Sequence, residues 1–144
     1  MIDTIYVDDC DEVLSKGDHV AYSRLLYAHH CIYIGKGWAV HLTDKGVVKD
    51  LFEDMVGSSE FWVIEHDNGY SRKKIVKRAK RKVNGYDKYN LIFNNCEHFC
   101  EWCCTGFAWS HQVFGSVGLG FLGPAGHVLG QIANDGGCQK YRLR

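Results

Sequence analysis

A single proline, Pro124, occurs in 144 residues, which excludes a proline-rich linker or an extended polyproline arm. Charge of one sign is also missing. Seventeen Lys and Arg balance seventeen Asp and Glu, so any pull toward nucleic acid or a membrane must be local. The segment Met1 to Asp11 is acidic and has neither a basic start nor an apolar stretch, so it does not read as a secretory signal. From Trp102 to Asn134, thirty-three residues carry no Asp, Glu, Lys or Arg. No internal repeat is visible.

What is present suits one folded domain. Hydrophobic residues make up 46% and charged residues 24%, the balance of a globular chain long enough to bury a core. The cysteines number seven, an odd count, and four cluster at 96, 100, 103 and 104. Helical neighbours make poor disulfide partners, so free thiols in a reducing, cytoplasmic setting are expected. The first fifteen residues carry Asp3, Asp8, Asp9, Asp11 and Glu12 and read as a solvated acidic lead-in. Half of the sixteen glycines follow residue 114 and set off a Gly-rich tail over residues 111–144.

Strand signals dominate the first half. His19-Val20-Ala21-Tyr22 begins after Gly17-Asp18. The runs His29 to Ile34 and Trp38 to Leu42 flank Gly35-Lys36-Gly37 and predict a hairpin with a three-residue turn. Val47-Val48 and Phe61 to Ile64 are further strand segments. Ile75, Val76, Ala79 and Val83 then recur at helical spacing behind Ser71, a good N-cap, and Asn84-Gly85 ends the helix. A second helix is expected from Cys96 to Cys104, capped by Asn94-Asn95 and stopped at Gly106.

A cysteine attacks as its thiolate, so it needs help in losing its proton. Cys96 sits in the first turn of its helix, where unpaired N–H groups and the positive end of the dipole lie. It also needs a base and a group that orients the base. With a three-residue turn, position 41 faces position 31, and His29 lies two residues along on the same face. His29 and His41 would then be diagonal neighbours, roughly 7–8 Å apart at Cβ. A helix packed across that face would bring Cys96 to His29. Strand histidines and lone cysteines are more often structural than chemical, so spacing alone supports this site weakly. Cys31 shares the histidine face but has no helix dipole behind it. His30 points to the other face and reads as structural, as do Glu97 and His98.

Gly17 to Val20, Tyr27 to Gly35, Ala39 to Leu42, and Tyr89-Asn90-Leu91 through Asn94-Asn95-Cys96-Glu97-His98-Phe99 together resemble the lecithin:retinol acyltransferase-like family. That group includes the H-Ras-like-suppressor phospholipase/acyltransferases. The paired boxes also occur in H-box/NC non-structural proteins of some picornaviruses. The resemblance covers about residues 16–108 and implies an α+β, circularly permuted papain-like (NlpC/P60-type) fold. In it, an antiparallel sheet packs on a nucleophile-bearing helix, with residues 16–110 as the catalytic domain. It implies Cys96 as nucleophile, His29 as base and acid, and His41 as the orienting third member. Tyr27, with the Cys96 N–H, would polarise an ester carbonyl. The implied activity is a thiol-dependent acyltransferase or phospholipase A on glycerophospholipids or similar acyl esters, without metal or cofactor. Many relatives carry Trp at the position of His30 and an aliphatic residue at that of Cys100.

Two stretches suit a membrane surface. Arg72 to Lys82 holds eight basic residues in eleven and could lie on anionic lipid or simply face water. Val113 to Ile132 is twenty residues long, a bilayer's span, but is broken by six glycines and Pro124. That segment could equally fold back or mediate oligomerisation. Nucleic acid is the weakest partner, because no aromatic platform accompanies the basic run. The rival functions are a catalytically silent relative that binds host or membrane partners, and a zinc module built on Cys96, His98, Cys100, Cys103 and Cys104. The zinc module lacks a second ligand pair at finger spacing.

Overall fold

The computed structural model describes residues 2–85, 95–107 and 137–144. Its strands are β1 (Ile5–Val7), β2 (His19–Ser23), β3 (Ala28–Gly35), β4 (Trp38–Thr43), β5 (Gly46–Leu51), β6 (Phe61–Ile64) and β7 (Tyr141–Leu143). The helices are α1 (Phe52–Val56), α2 (Arg72–Lys82) and α3 (Cys96–Thr105), with a 3₁₀ turn at Cys10–Glu12. One sheet runs in the order β1-β7-β6-β2-β3-β4-β5. All its pairs are antiparallel except β1 with β7. The expected mixed architecture and the long elements are present. The two ends of the chain, read as lead-in and tail, meet inside this sheet, where Ile5 pairs with Tyr141 and Val7 with Leu143. The stretch Val113 to Ile132 lies outside the described residues.

Strand alternation gives the sheet two buried faces. Val20, Tyr22, Cys31, Tyr33, Ala39 and Phe61 pack against Val7, Cys10 and Leu14 of the N-terminal segment and Phe52 and Val56 of α1. On the other face, Ile32, Ile34, Val40 and Leu42 meet Ile75 and Ala79 of α2 and Phe99, Cys100, Cys103 and Cys104 of α3. All seven cysteines are free thiols. The apolar stripe of α2 is therefore spent in the core, and only its basic side remains for any surface. Ser71 caps α2 by accepting the Lys74 N–H.

The hairpin differs from expectation in a way that matters. Its turn has two residues, Lys36 and Gly37, both at positive φ (53° and 85°), and Gly35 pairs with Trp38. Continued without a break, that register would pair 31 with 42 and turn His41 to the face opposite His29. A β-bulge between Tyr33 and Gly35 inserts one residue, so that Tyr33 pairs with Ala39 and Ile32 with Val40. The bulge thereby restores the frame in which positions 31 and 41 correspond.

Helix α3 starts at Asn95, whose side chain accepts the His98 N–H in a capping box, and ends at Gly106 in the left-handed region (φ 87°). A Cβ added at Gly106 would lie 2.5 Å from the Tyr70 hydroxyl. Gly106→Ala is expected to destabilise the chain by at least about 1 kcal/mol, through backbone strain and this contact. Urea unfolding of the two forms measures it.

Candidate active site

His29 and His41 are both buried, and His29 Nε2 lies 2.8 Å from His41 Nδ1. The other nitrogen of His41, Nε2, is 2.8 Å from Asp50 Oδ2. Asp50 comes from β5, where His41 pairs with Val48 and Ala39 with Asp50, so it is a diagonal neighbour of His41 on one face. The chain of contacts dictates the tautomers. A carboxylate oxygen accepts, so His41 donates from Nε2 and presents Nδ1 as acceptor. His29 then donates from Nε2, and its Nδ1 is left with the lone pair of a base. Burial, followed by the charge influence of His41, pushes the His29 pKa down to about 2, and burial lowers that of His41 despite Asp50. Both rings are neutral bases at neutral pH.

The sign of the pH dependence follows. Each histidine has a folded pKa below its ordinary value of 6.5, so the unfolded chain binds protons that the fold refuses. Their stabilisation is complete above pH 6.5 and is lost as pH falls below it. For His29 the slope is roughly 1.4 kcal/mol per pH unit. Denaturation midpoints should fall between pH 6.5 and 5, and His29→Gln should make that fall shallower.

Cys96 is the first residue of α3, and its sulfur accepts hydrogen bonds from the backbone N–H groups of His30 and Glu97. The strand explains the first of these. The Tyr33 N–H bonds to the Asp18 carbonyl on the β2 side, so alternation turns the His30 N–H toward β4. Pairing of β3 with β4 ends at Ile32 and Val40, which leaves that N–H for the sulfur. Helix α3 packs on the face of Ile32 and Val40, not across the histidine face as expected. Its first residue meets β3 at the His30 backbone. The structure joins His29, His41 and Asp50 in one hydrogen-bonded chain and holds the Cys96 sulfur on the residue adjoining His29.

Helix-start assistance alone does not make a thiolate here. Burial raises the Cys96 pKa to about 12, and the two N–H donors offset only part of this. The Cys96 side chain therefore rests as a protonated thiol. Cys31, packed among Val20 and Tyr33, is also held protonated by burial.

Tyr27 sets its ring edge-on to His29, with centroids 6.5 Å apart. Arg24 donates to the Tyr27 hydroxyl at 2.7 Å and to the Tyr22 hydroxyl at 2.9 Å. Arg24 and Asp50 were not visible as site residues in the sequence. Asp50 could have been found by extending the Val47-Val48 strand two residues from a two-residue Asp44-Lys45 turn; nothing local marks Arg24. His30, Glu97 and His98 are buried.

Residues 12–109 match the family described as lecithin retinol acyltransferase. Human phospholipase A and acyltransferase 2 is 36% identical over 124 residues, covering 70% of this chain and 76% of that protein. Human phospholipase A and acyltransferase 3 is 36% identical over 120 residues, covering 67% and 74%. Its mouse counterpart is 31% identical over 140 residues, covering 81% and 86%. With the family pattern spanning both the histidine hairpin and the Cys96 helix, this chain belongs to the lecithin retinol acyltransferase family.

Proposed function

We propose that the chain is a thiol-dependent acyltransferase and phospholipase A that takes an acyl group from a glycerophospholipid onto Cys96. The observation that carries this reading is the Asp50–His41–His29 chain together with the Cys96 sulfur bonded to the backbone N–H of His30, the residue next to His29. Because thiol and imidazole both rest neutral, His29 Nδ1 removes the S–H proton as the sulfur attacks the ester carbonyl. The imidazolium formed is stabilised through His41 by Asp50. The Cys96 N–H and the Tyr27 hydroxyl are the donors for the developing oxyanion. As the tetrahedral intermediate collapses, the glycerol oxygen leaves with the proton from His29, giving the thioester and a lysophospholipid. Water, a hydroxyl or an amine then gives its proton to His29 and takes the acyl group, and the proton returns to the sulfur.

A lipid surface is the matching partner. Leu25 and Leu26, in the loop between Arg24 and Tyr27, are 95% and 55% exposed, an apolar surface tip shortly before His29 in the chain. The outward basic side of α2 adds attraction to anionic headgroups. Among the described residues no helix is long and apolar enough to cross a membrane. We place the working chain at the cytoplasmic surface of an intracellular membrane. Incubation with phosphatidylcholine and phosphatidylethanolamine vesicles, with products resolved by mass spectrometry, tests the reading. Fatty acid, lysophospholipid or acyl-transfer product should accumulate, and their absence would overturn it. A second reading, a silent relative that binds host or membrane partners, draws on the Cys96 sulfur being almost wholly buried, and absent turnover favours it.

A further inference from the structure

On the face of the sheet opposite the His29 chain lies a second set of titratable side chains, which the proposed acyl transfer does not use. His19 Nδ1 lies 2.9 Å from His66 Nε2, and His19 Nε2 lies 2.7 Å from His30 Nδ1. A glutamate stands at each end: Glu97 is 3.7 Å from His30 Nε2, and Glu101 is 3.7 Å from His66 Nδ1. Cys104 faces the middle of the run, its sulfur and the facing nitrogens of His19 and His66 all within 4.8 Å of one another. These residues come from β2, β3, the segment after β6, and α3.

We propose that His19 Nδ1, His66 Nε2 and Cys104 Sγ bind a divalent zinc ion. Two imidazoles and one thiolate form a donor set of the softness zinc takes, with a fourth position open to water. The groups behind the ligands fit as well. Metal-bound histidine ordinarily gives its other N–H to a carboxylate or comparable acceptor. Here His66 would give Nδ1–H toward Glu101, His19 would give Nε2–H to His30 Nδ1, and His30 would give Nε2–H toward Glu97. Three neutral rings supply those three protons, and the ion occupies the fourth contact, between His19 and His66. Without an ion, the two rings meet directly at that contact.

The space is nearly right already. The His19 and His66 ring centroids are 5.1 Å apart. A tetrahedral ion with Zn–N bonds of about 2.05 Å would hold them about 5.2 Å apart, so the rings pivot without separating. His66 and Glu101 also line a surface pocket of about 370 Å³ with Ile64, Asp67, Thr105 and Phe107, a path for a hydrated ion. Zinc takes cysteine as its thiolate, so binding releases a proton to solvent. The residues differ from the cysteine-helix module weighed from the sequence and share only Cys104 with it.

The test uses the full chain, stripped with a chelator and titrated with Co²⁺ and Zn²⁺. One equivalent should bind, and the cobalt form should show a thiolate charge-transfer band with the d–d intensity of a tetrahedral site. Zinc-edge X-ray absorption of the unsubstituted protein should show one sulfur ligand among nitrogen and oxygen. Cys104→Ser should remove the charge-transfer band, and Glu101→Gln should weaken zinc binding about 10–100-fold. His66→Gln, at a side chain 15% exposed, should weaken it further, whereas Cys96→Ala should leave it unchanged. No stoichiometric binding, two or more sulfur ligands, or affinity unmoved by His66→Gln would overturn the proposal.

Discussion

Cys96→Ala is expected to reduce acyl release from phospholipid vesicles at least about a thousandfold, to the uncatalysed background, with the fold retained. The substitution removes one sulfur from beside the His30 backbone and leaves the α3 cap at Asn95 and His98 in place. Far-ultraviolet circular dichroism should therefore superimpose on that of the parent. Cys96→Ser is the sharper control. A hydroxyl keeps an acceptor for the His30 and Glu97 N–H groups, but its oxygen is a far poorer nucleophile for a neutral imidazole to activate. Near-equal loss in Ala and Ser variants would mean that the sulfur's chemistry, not its packing, is required. Turnover persisting in either variant would remove the mechanism.

The second large effect is at the base. His29→Gln should lower kcat by roughly 10²–10⁴-fold, the range of a lost general base, with much less change in KM. Gln can still donate to His41 Nδ1, so the hydrogen-bonded frame is kept while the basic Nδ1 lone pair is lost. Asp50→Asn should cost less, because Asp50 is half exposed, its side chain 53% accessible, and water screens it. The ordering His29, then His41, then Asp50 in declining severity is the signature of a relay in which each member acts through the one before. Equal effects at all three would instead indicate general loss of structure, which the pH-dependent unfolding of His29→Gln would expose.

The histidine frame was legible because it depends on local pattern. β-Branched and aromatic residues alternate from His29 to Ile34 and from Trp38 to Leu42, and the glycines mark the turn between them. The expected three-residue turn was wrong by one residue, yet the bulge before Gly35 shifts the register back by one, so the two histidines still share a face. The position of α3 was not legible. Its apolar stripe of Phe99, Cys100 and Cys103 shows that the helix is covered on one side, but not which face of the sheet covers it. Arg24 and Asp50 enter the site through long-range register and loop closure, which no local signal carries. The three-residue strands β1 and β7 exist only as partners of each other and of β6. The His19–His30–His66 run needs two strands and a loop to converge, so no spacing in the chain reveals it.

The most direct measurement is mass spectrometry of the full chain, acid-quenched during turnover of phosphatidylcholine vesicles and then digested. A gain of one acyl chain, removable by hydroxylamine and confined to the peptide carrying Cys96, is the result this account requires. Turnover that proceeds with no acyl adduct on Cys96, or with the adduct on another cysteine, would contradict it.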